Sequence, residues 1–67
     1  MQENRIKLIK LPQVMQITTL SRATVYRLIA KGEFPKQIIL SERASAWIEH
    51  EVHEWLDNRI NNRVLST

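Results

Sequence analysis

This chain of 67 residues contains no cysteine, one glycine and two prolines. The absence of cysteine excludes disulfide bonds and thiolate metal sites, and it is typical of proteins in the reducing cytoplasm, where we expect this chain to act. No apolar run approaches the roughly 20 residues of a membrane span, and no signal-peptide pattern opens the chain. Without repeats or low-complexity stretches, residues 1–67 are predicted to form one small domain.

Carboxylates are also absent from the stretch around which the chain is organised, between Ser21 and Lys31. Ser21 is a good helix N-cap, because its hydroxyl can accept a hydrogen bond from an amide of the first turn. Gly32, the only glycine, stands where a helix end favours a left-handed backbone. The two signals predict one helix of about ten residues between them.

The predicted helix has two different faces. At about 100° per residue, Val25, Leu28 and Ile29 cluster on one side. The opposite side and its flanks carry small, hydrogen-bonding or cationic residues: Arg22, Ala23, Thr24, Tyr26, Arg27, Ala30 and Lys31. A narrow, basic helix face suits the major groove of DNA. An ordinary amphipathic helix with a solvated polar face is the alternative.

Charge is distributed unevenly along the chain. Residues 1–48 contain eight of the ten Lys and Arg residues but only three of the seven Asp and Glu residues. Residues 49–67 contain two Lys or Arg residues and four Asp or Glu residues. The net charges of the two parts are therefore +5 and −2. This polarity favours binding of a polyanion by one face, although chance surface charge can also produce it.

The flanking segments indicate a winged helix-turn-helix fold, mainly α with a small β-hairpin. A short strand is predicted within residues 6–9, and Leu11-Pro12 opens a first helix with proline at its first position. With a break at Thr18-Thr19, residues from about 11 to 32 match the helix-turn-helix plan.

The rest of the chain supplies the wing and a third helix. Two β-prone runs, residues 37–40 and 46–48, flank the polar stretch 41–45 and predict a hairpin over about residues 36–48. A helix follows over about residues 49–61, on an apolar stripe formed by Ile48, Val52, Trp55, Leu56 and Ile60. We predict that Phe34, Trp47 and Trp55 pack in the core, with a partner for each indole N–H.

The order of the motifs resembles one known family closely. They are Leu11-Pro12-x-Val14, Leu20-Ser21-Arg22-x-Thr24-Val25-Tyr26-Arg27-Leu28-Ile29, Gly32-x-Phe34-Pro35, Ala46-Trp47 and Val52-x-x-Trp55-Leu56. This order resembles the AlpA family of small prophage and mobile-element regulators, related to excisionases and MerR-like winged helices, over about residues 5–57. The resemblance implies a bacterial or phage DNA-binding protein that controls integrase or excision functions. One departure is a wing loop without glycine, in which Glu42 would face phosphate.

Candidate DNA contacts follow from these faces. Arg27 is predicted to read guanine, because arginine can bond both of its groove acceptors, while Ala23 and Thr24 offer short contacts. Phosphate contacts are predicted for Ser21, Arg22, Tyr26 and Lys31 on the helix, and for Lys36 and Arg43 on the wing. For Arg22, an ion pair within the protein is the alternative.

Other chemistry finds little support in the sequence. His50 and His53 lie near Glu49 and Glu54, but without a third convergent ligand we interpret them as surface histidines and expect no metal or cofactor. No phosphate loop or nucleophile elbow is present, so we do not expect an enzyme.

Three functions remain open. The first is a transcription regulator of integrase or excision genes, and the second an excisionase-like factor that bends attachment-site DNA. The third is a protein-interaction module that uses its acidic third helix and does not bind DNA. The expected partners are double-stranded DNA, with integrase or RNA polymerase as protein partners. We also expect several copies on one DNA site, in contact through residues 60–65.

Overall fold

The computed structural model describes residues 6–66, and side chains as far as residue 63. The elements follow in the order β1 (Leu8–Ile9), α1 (Leu11–Thr18), α2 (Arg22–Ala30), β2 (Ile38–Ser41), β3 (Ala44–Ile48) and α3 (Glu49–Ser66). Three helices and a small antiparallel sheet confirm the predicted winged helix-turn-helix class. The third helix extends five residues beyond its predicted end. Within residues 6–66, no helix combines the length and apolar composition that a membrane crossing requires.

The first helix and the turn after it are held by side-chain hydrogen bonds. The Lys10 amide donates to Gln13 Oε1 at 2.8 Å, and Pro12 occupies the second helical position rather than the predicted first. Thr18 Oγ1 donates to the Val14 carbonyl at 2.8 Å and accepts from the Leu20 amide at 3.2 Å. Thr19 takes a left-handed conformation with φ 64°, so a threonine makes the bend for which this motif often uses glycine.

The second helix begins and ends where the sequence predicts. Ser21 Oγ accepts a hydrogen bond from the Thr24 amide at 3.2 Å, which confirms the N-cap. Gly32 has φ +74°, its amide donates to the Ile29 carbonyl at 3.0 Å, and the Glu33 amide donates to the Leu28 carbonyl at 2.8 Å. This pair of bonds is a Schellman motif, which satisfies the last helical carbonyls and turns the chain toward the wing.

The sheet has the strand order β1-β3-β2 and is antiparallel throughout. The predicted N-terminal strand is confirmed but short, and its pairing with β3 (Leu8 opposite Ile48) adds a strand to the hairpin. The predicted five-residue wing loop is wrong, because Ser41 pairs with Ala44 and only residues 42–43 form the turn. Strand β3 therefore begins at Ala44 instead of residue 46.

One core lies between the three helices and the sheet. Its buried members are Ile9, Val14, Val25, Phe34, Trp47 and Val52. The predicted burial of Phe34 and Trp47 is confirmed, at 5% and 1% exposure. Trp55 is only half-buried and packs against this cluster, so Trp47 and Val52 are the fully buried anchors near the third helix.

Both indole N–H groups bond the segment that joins α2 to the wing. Trp47 Nε1 donates to the Pro35 carbonyl at 3.2 Å, and Trp55 Nε1 donates to the Glu33 carbonyl at 2.8 Å. The Trp55 ring also contacts Phe34 edge-on, with centroids 4.8 Å apart. Side chains from β3 and α3 therefore hold the α2–wing connection from two directions.

Candidate nucleic-acid interface

The two faces of α2 are separated as predicted. Val25 is fully buried, and Leu28 and Ile29 are partly buried against the core. The exposed positions are Arg22, Ala23, Arg27, Ala30 and Lys31, while Thr24 and Tyr26 are partly exposed. The helix thus offers solvent a surface with three cations and no carboxylate.

The exposed face has a narrow centre of small side chains between two cationic edges. At about 100° per residue, Arg22 and Arg27 lie about 140° apart around the helix axis. Ala23 and Ala30 fall between them, with Tyr26 on the Arg22 side of these alanines, and Lys31 extends the edge that carries Arg27. Methyl groups allow the helix backbone to approach a surface closely, and the arginines can reach that surface on either side. This outline fits a groove with charged walls.

The hydroxyl groups at the N-terminus of α2 are already used by the cap. Ser21 Oγ accepts from the Thr24 amide and donates to Thr24 Oγ1 at 2.9 Å. The Ser21 oxygen is therefore occupied in the free protein, which makes it a weaker candidate for a phosphate contact. The Thr24 hydroxyl accepts in this pair and retains its own proton for an outside acceptor.

Tyr26 is partly buried, although the sequence pattern places it on the flank of the exposed face. Its ring lies edge-on to the buried Trp47, with centroids 6.2 Å apart. The Arg22 guanidinium carbon lies 5.8 Å from the centre of the Tyr26 ring. In the described part of the chain no carboxylate pairs with Arg22, so the ion-pair alternative is not what the structure shows. Sequence reasoning missed this pair, which the (i, i+4) spacing of arginine and tyrosine could have indicated.

The wing places its two predicted cations at different points. Lys36 is exposed in the connection before β2, and Arg43 is exposed in the two-residue turn beside the equally exposed Glu42. The formal charges of Glu42 and Arg43 in the turn therefore cancel. Strand β2 forms an outer edge of the sheet and exposes Ile39 and Leu40 at 69% and 51%.

The third helix carries the histidines and acids on its surface. His50 Nε2 lies 3.9 Å from Glu54 Oε2, and His53 Nε2 lies 3.8 Å from Glu49 Oε2, each pair spaced (i, i+4). Glu49 and Glu51 occupy its first turn, where negative charge complements the helix dipole. Among the residues described, no group of three or more His, Asp or Glu side chains could hold a metal ion.

The sequence is similar to known proteins of phage and bacterial origin. Residues 7–60 match the model of the family described as "Prophage CP4-57 regulatory protein (AlpA)". A protein of Enterobacteria phage P4 named "Uncharacterized protein ORF88" is 44% identical over 57 residues, which cover 85% of this chain and 65% of that protein. The chain therefore spans just under two thirds of this relative's length.

A second relative has a name that describes its activity. The "DNA-binding transcriptional activator AlpA" of Escherichia coli (strain K12) is 35% identical over 60 residues, which cover 81% of this chain and 86% of that protein. The family match covers the helix-turn-helix, the wing and most of α3. The chain therefore belongs to the AlpA family of prophage regulatory proteins.

Proposed function

We propose that this chain binds double-stranded DNA through the exposed face of α2 and thereby regulates transcription from a prophage or mobile element. The observation that carries the proposal is the basic, carboxylate-free outer face of α2, with alanines at its centre. The relative from Escherichia coli, whose name describes a DNA-binding transcriptional activator, supports the same function. Genes for integrase or excision functions are the targets that we propose within this class.

The residues of the interface take different roles in this proposal. Arg27 lies on the side of α2 opposite Val25, so it reaches the base edges, with Ala23 and Thr24 beside it. Lys31 lies at the C-terminal end of the helix, and it contacts phosphate together with Lys36 and Arg43 from the wing side. Base contacts select the sequence, and phosphate contacts fix the position of the protein on it.

Paired substitutions on α2 test this division of roles. Duplexes are first selected from a random library with the wild-type protein. On the best duplex, Arg27→Ala should cost about 1–3 kcal/mol of binding free energy and relax preference at one or two base pairs. Lys31→Ala should weaken matched and mismatched duplexes alike and lower the slope of log K against log salt by about one.

Lys7→Ala is the matched control, because Lys7 is an exposed cation near α3 whose Nζ lies 4.0 Å from Glu49 Oε2. It should change the affinity little. If Arg27→Ala reduced affinity equally on every sequence, Arg27 would be a phosphate contact. If neither α2 variant changed binding, α2 would not lie in the groove. Wild-type protein that showed no salt-dependent binding to any duplex would instead favour a protein-interaction module.

A second function, excisionase-like bending of attachment-site DNA, is favoured by the wing. Ile39 and Leu40 are exposed there, and apolar side chains at the DNA surface can wedge base steps apart and kink the duplex. Bend angles measured by fluorescence energy transfer on end-labelled duplexes separate the two functions. A large bend that disappears in Ile39→Ser supports the architectural role with integrase as partner. An unbent duplex supports simple regulation, for which RNA polymerase is the proposed partner.

The small size of the domain favours several copies on one DNA site. A single module of this kind buries about 600–1,000 Å² on DNA, which gives limited specificity. We propose that Ile60, an apolar residue of α3 with 46% exposure, contacts the neighbouring copy. Native mass spectrometry of the complex on a natural site should find two or more proteins per duplex, and a ratio of one would contradict this.

A further inference from the structure

The positive charge of Arg22 lies at an unfavourable end of α2. It is the first helical residue of α2, and the first turn contains no acidic side chain. The N-terminal end of a helix carries partial positive charge, so a cation there is unfavourable for folding. Arg22 is also exposed and pairs with no carboxylate in the described part of the chain. Its charge is therefore available to an anion outside the protein.

The direction of the Arg22 side chain is limited by one neighbour. Its guanidinium carbon lies 5.8 Å from the centre of the Tyr26 ring, within the range of a cation–π contact. A planar guanidinium stacks on an aromatic face and keeps its N–H groups directed outward along its edges. Contact with this ring therefore restricts the directions that a free arginine side chain would sample.

The Tyr26 ring is itself held from behind. It lies edge-on to Trp47, whose side chain is 1% exposed and whose indole N–H donates to the Pro35 carbonyl at 3.2 Å. Trp47 belongs to β3, the inner strand of the sheet. Arg22, on the surface of α2, thus rests on a side chain that the core and the sheet immobilise.

We propose that Tyr26 is a positioning residue, whose ring, held against Trp47, aims the Arg22 guanidinium at a DNA phosphate. This inference rests on the proposed function and changes the role expected of Tyr26. Arg22 makes the phosphate contact that the sequence predicts for it, and the Tyr26 hydroxyl, also expected from sequence to bind phosphate, is dispensable. A guanidinium that is already oriented loses less conformational freedom when its N–H groups bind the non-bridging oxygens of a phosphate.

Two substitutions at position 26 separate the ring from the hydroxyl. Tyr26→Phe keeps the ring and should bind the selected duplex within about twofold of wild type. Tyr26→Leu removes the ring but keeps an apolar side chain, and should lower the salt slope by about 0.9, as Arg22→Ala should. When KCl is raised from about 50 to about 200 mM, the binding constant of such a variant should therefore fall by a factor about 3.5-fold smaller than that of wild type. The double variant Arg22→Ala/Tyr26→Leu should bind no more weakly than Arg22→Ala alone, because the two substitutions remove the same phosphate contact.

Arg22→Lys provides a variant that does not disturb the core. Lysine keeps the charge but lacks the planar group that stacks on the ring. If the Tyr26 ring positions the guanidinium, Arg22→Lys should lose nearly as much affinity as Arg22→Ala. If only the positive charge matters, Arg22→Lys should bind DNA like the wild-type protein. Thermal melting of each variant confirms that it is folded at the assay temperature.

A measurement without DNA tests the contact itself. Protons on the Arg22 side chain should show upfield NMR shifts from the Tyr26 ring in wild type and Tyr26→Phe, and lose them in Tyr26→Leu. If these shifts are missing while DNA binding is normal, the positioning role is wrong and the proposed function stands. If the shifts are present but no duplex binds, the proposed function is wrong and the phosphate role of Arg22 fails with it. A loss of affinity in Tyr26→Phe equal to that in Tyr26→Leu would make the hydroxyl the phosphate contact.

Discussion

Replacement of each tryptophan by phenylalanine should cost the fold different amounts, although both indoles donate to a carbonyl of the α2–wing connection. Trp55 is half-buried, and its indole N–H donates to the Glu33 carbonyl. That carbonyl can accept a hydrogen bond from water when the indole is removed. Trp47 is 1% exposed, so its replacement also leaves unfilled space in the core. We therefore expect Trp55→Phe to cost about 0.5–1 kcal/mol of unfolding free energy and Trp47→Phe about 2–3 kcal/mol.

These differences are large for so small a domain. A chain of 67 residues has a total stability of about 3–10 kcal/mol, with an unfolding entropy of about 140 cal/mol/K. One kcal/mol then corresponds to about 7 °C in the melting temperature. Trp55→Phe should lower the Tm by about 4–7 °C and Trp47→Phe by about 14–21 °C.

Circular dichroism at the helix band is the appropriate assay, because removal of a tryptophan changes the fluorescence signal itself. Urea unfolding gives the free energies, and thermal melting gives the Tm values. Ile39→Ser serves as the control, since Ile39 is 69% exposed and should shift stability by less than about 0.5 kcal/mol. Equal losses for the two tryptophan variants, or a larger loss for Trp55→Phe, would refute the assignment of Trp47 as the central buried aromatic.

Two further predictions concern residues with a left-handed backbone. Gly32→Ala should destabilise the domain by about 1 kcal/mol, and Gly32→Asn by less. A Cβ there meets nothing within 4 Å, so only the strain of φ +74° acts, and a cost of several kcal/mol in urea unfolding would show a clash instead. Thr19→Gly should stabilise the domain by about 0.5–1 kcal/mol, because it relieves the strain of a β-branched residue at φ 64°. A measured loss of stability would show that contacts of the threonine side chain outweigh that strain.

The sequence predicts the parts of this fold that depend on local chemistry. Ser21 and Gly32 act within a few residues of the helix that they bound, and the 3.6-residue period of its apolar positions decides which face is buried. Residues such as Arg27 and Lys31 are therefore placed on the exposed face by sequence alone. Their contacts with DNA remain predictions.

Apart from the local contact of Arg22 with Tyr26, the main features that sequence reasoning missed depend on distant partners. Ala44 and Ser45 have weak strand propensity, but they join β3 because β2 pairs with them. Tyr26 falls on the flank of the helix by periodicity, and it is partly buried because Trp47 arrives from a strand about 20 residues later. The apolar stripe predicts that Trp55 packs in the core, yet its indole N–H bonds the carbonyl of the exposed Glu33 and the side chain is only half-buried.

The position of β1 at one edge of the sheet sets the order in which the protein can fold during translation. Leu8 pairs with Ile48, and the Lys7 carbonyl accepts the amide of Glu49, which begins α3. A ribosome must therefore synthesise about 40 residues after Leu8 before this strand has its partner. The helix-turn-helix emerges earlier, with one side of its core still open to solvent. Closure of the domain then depends on contacts of high sequence separation, so the N-terminal strand and the C-terminal helix should become ordered together.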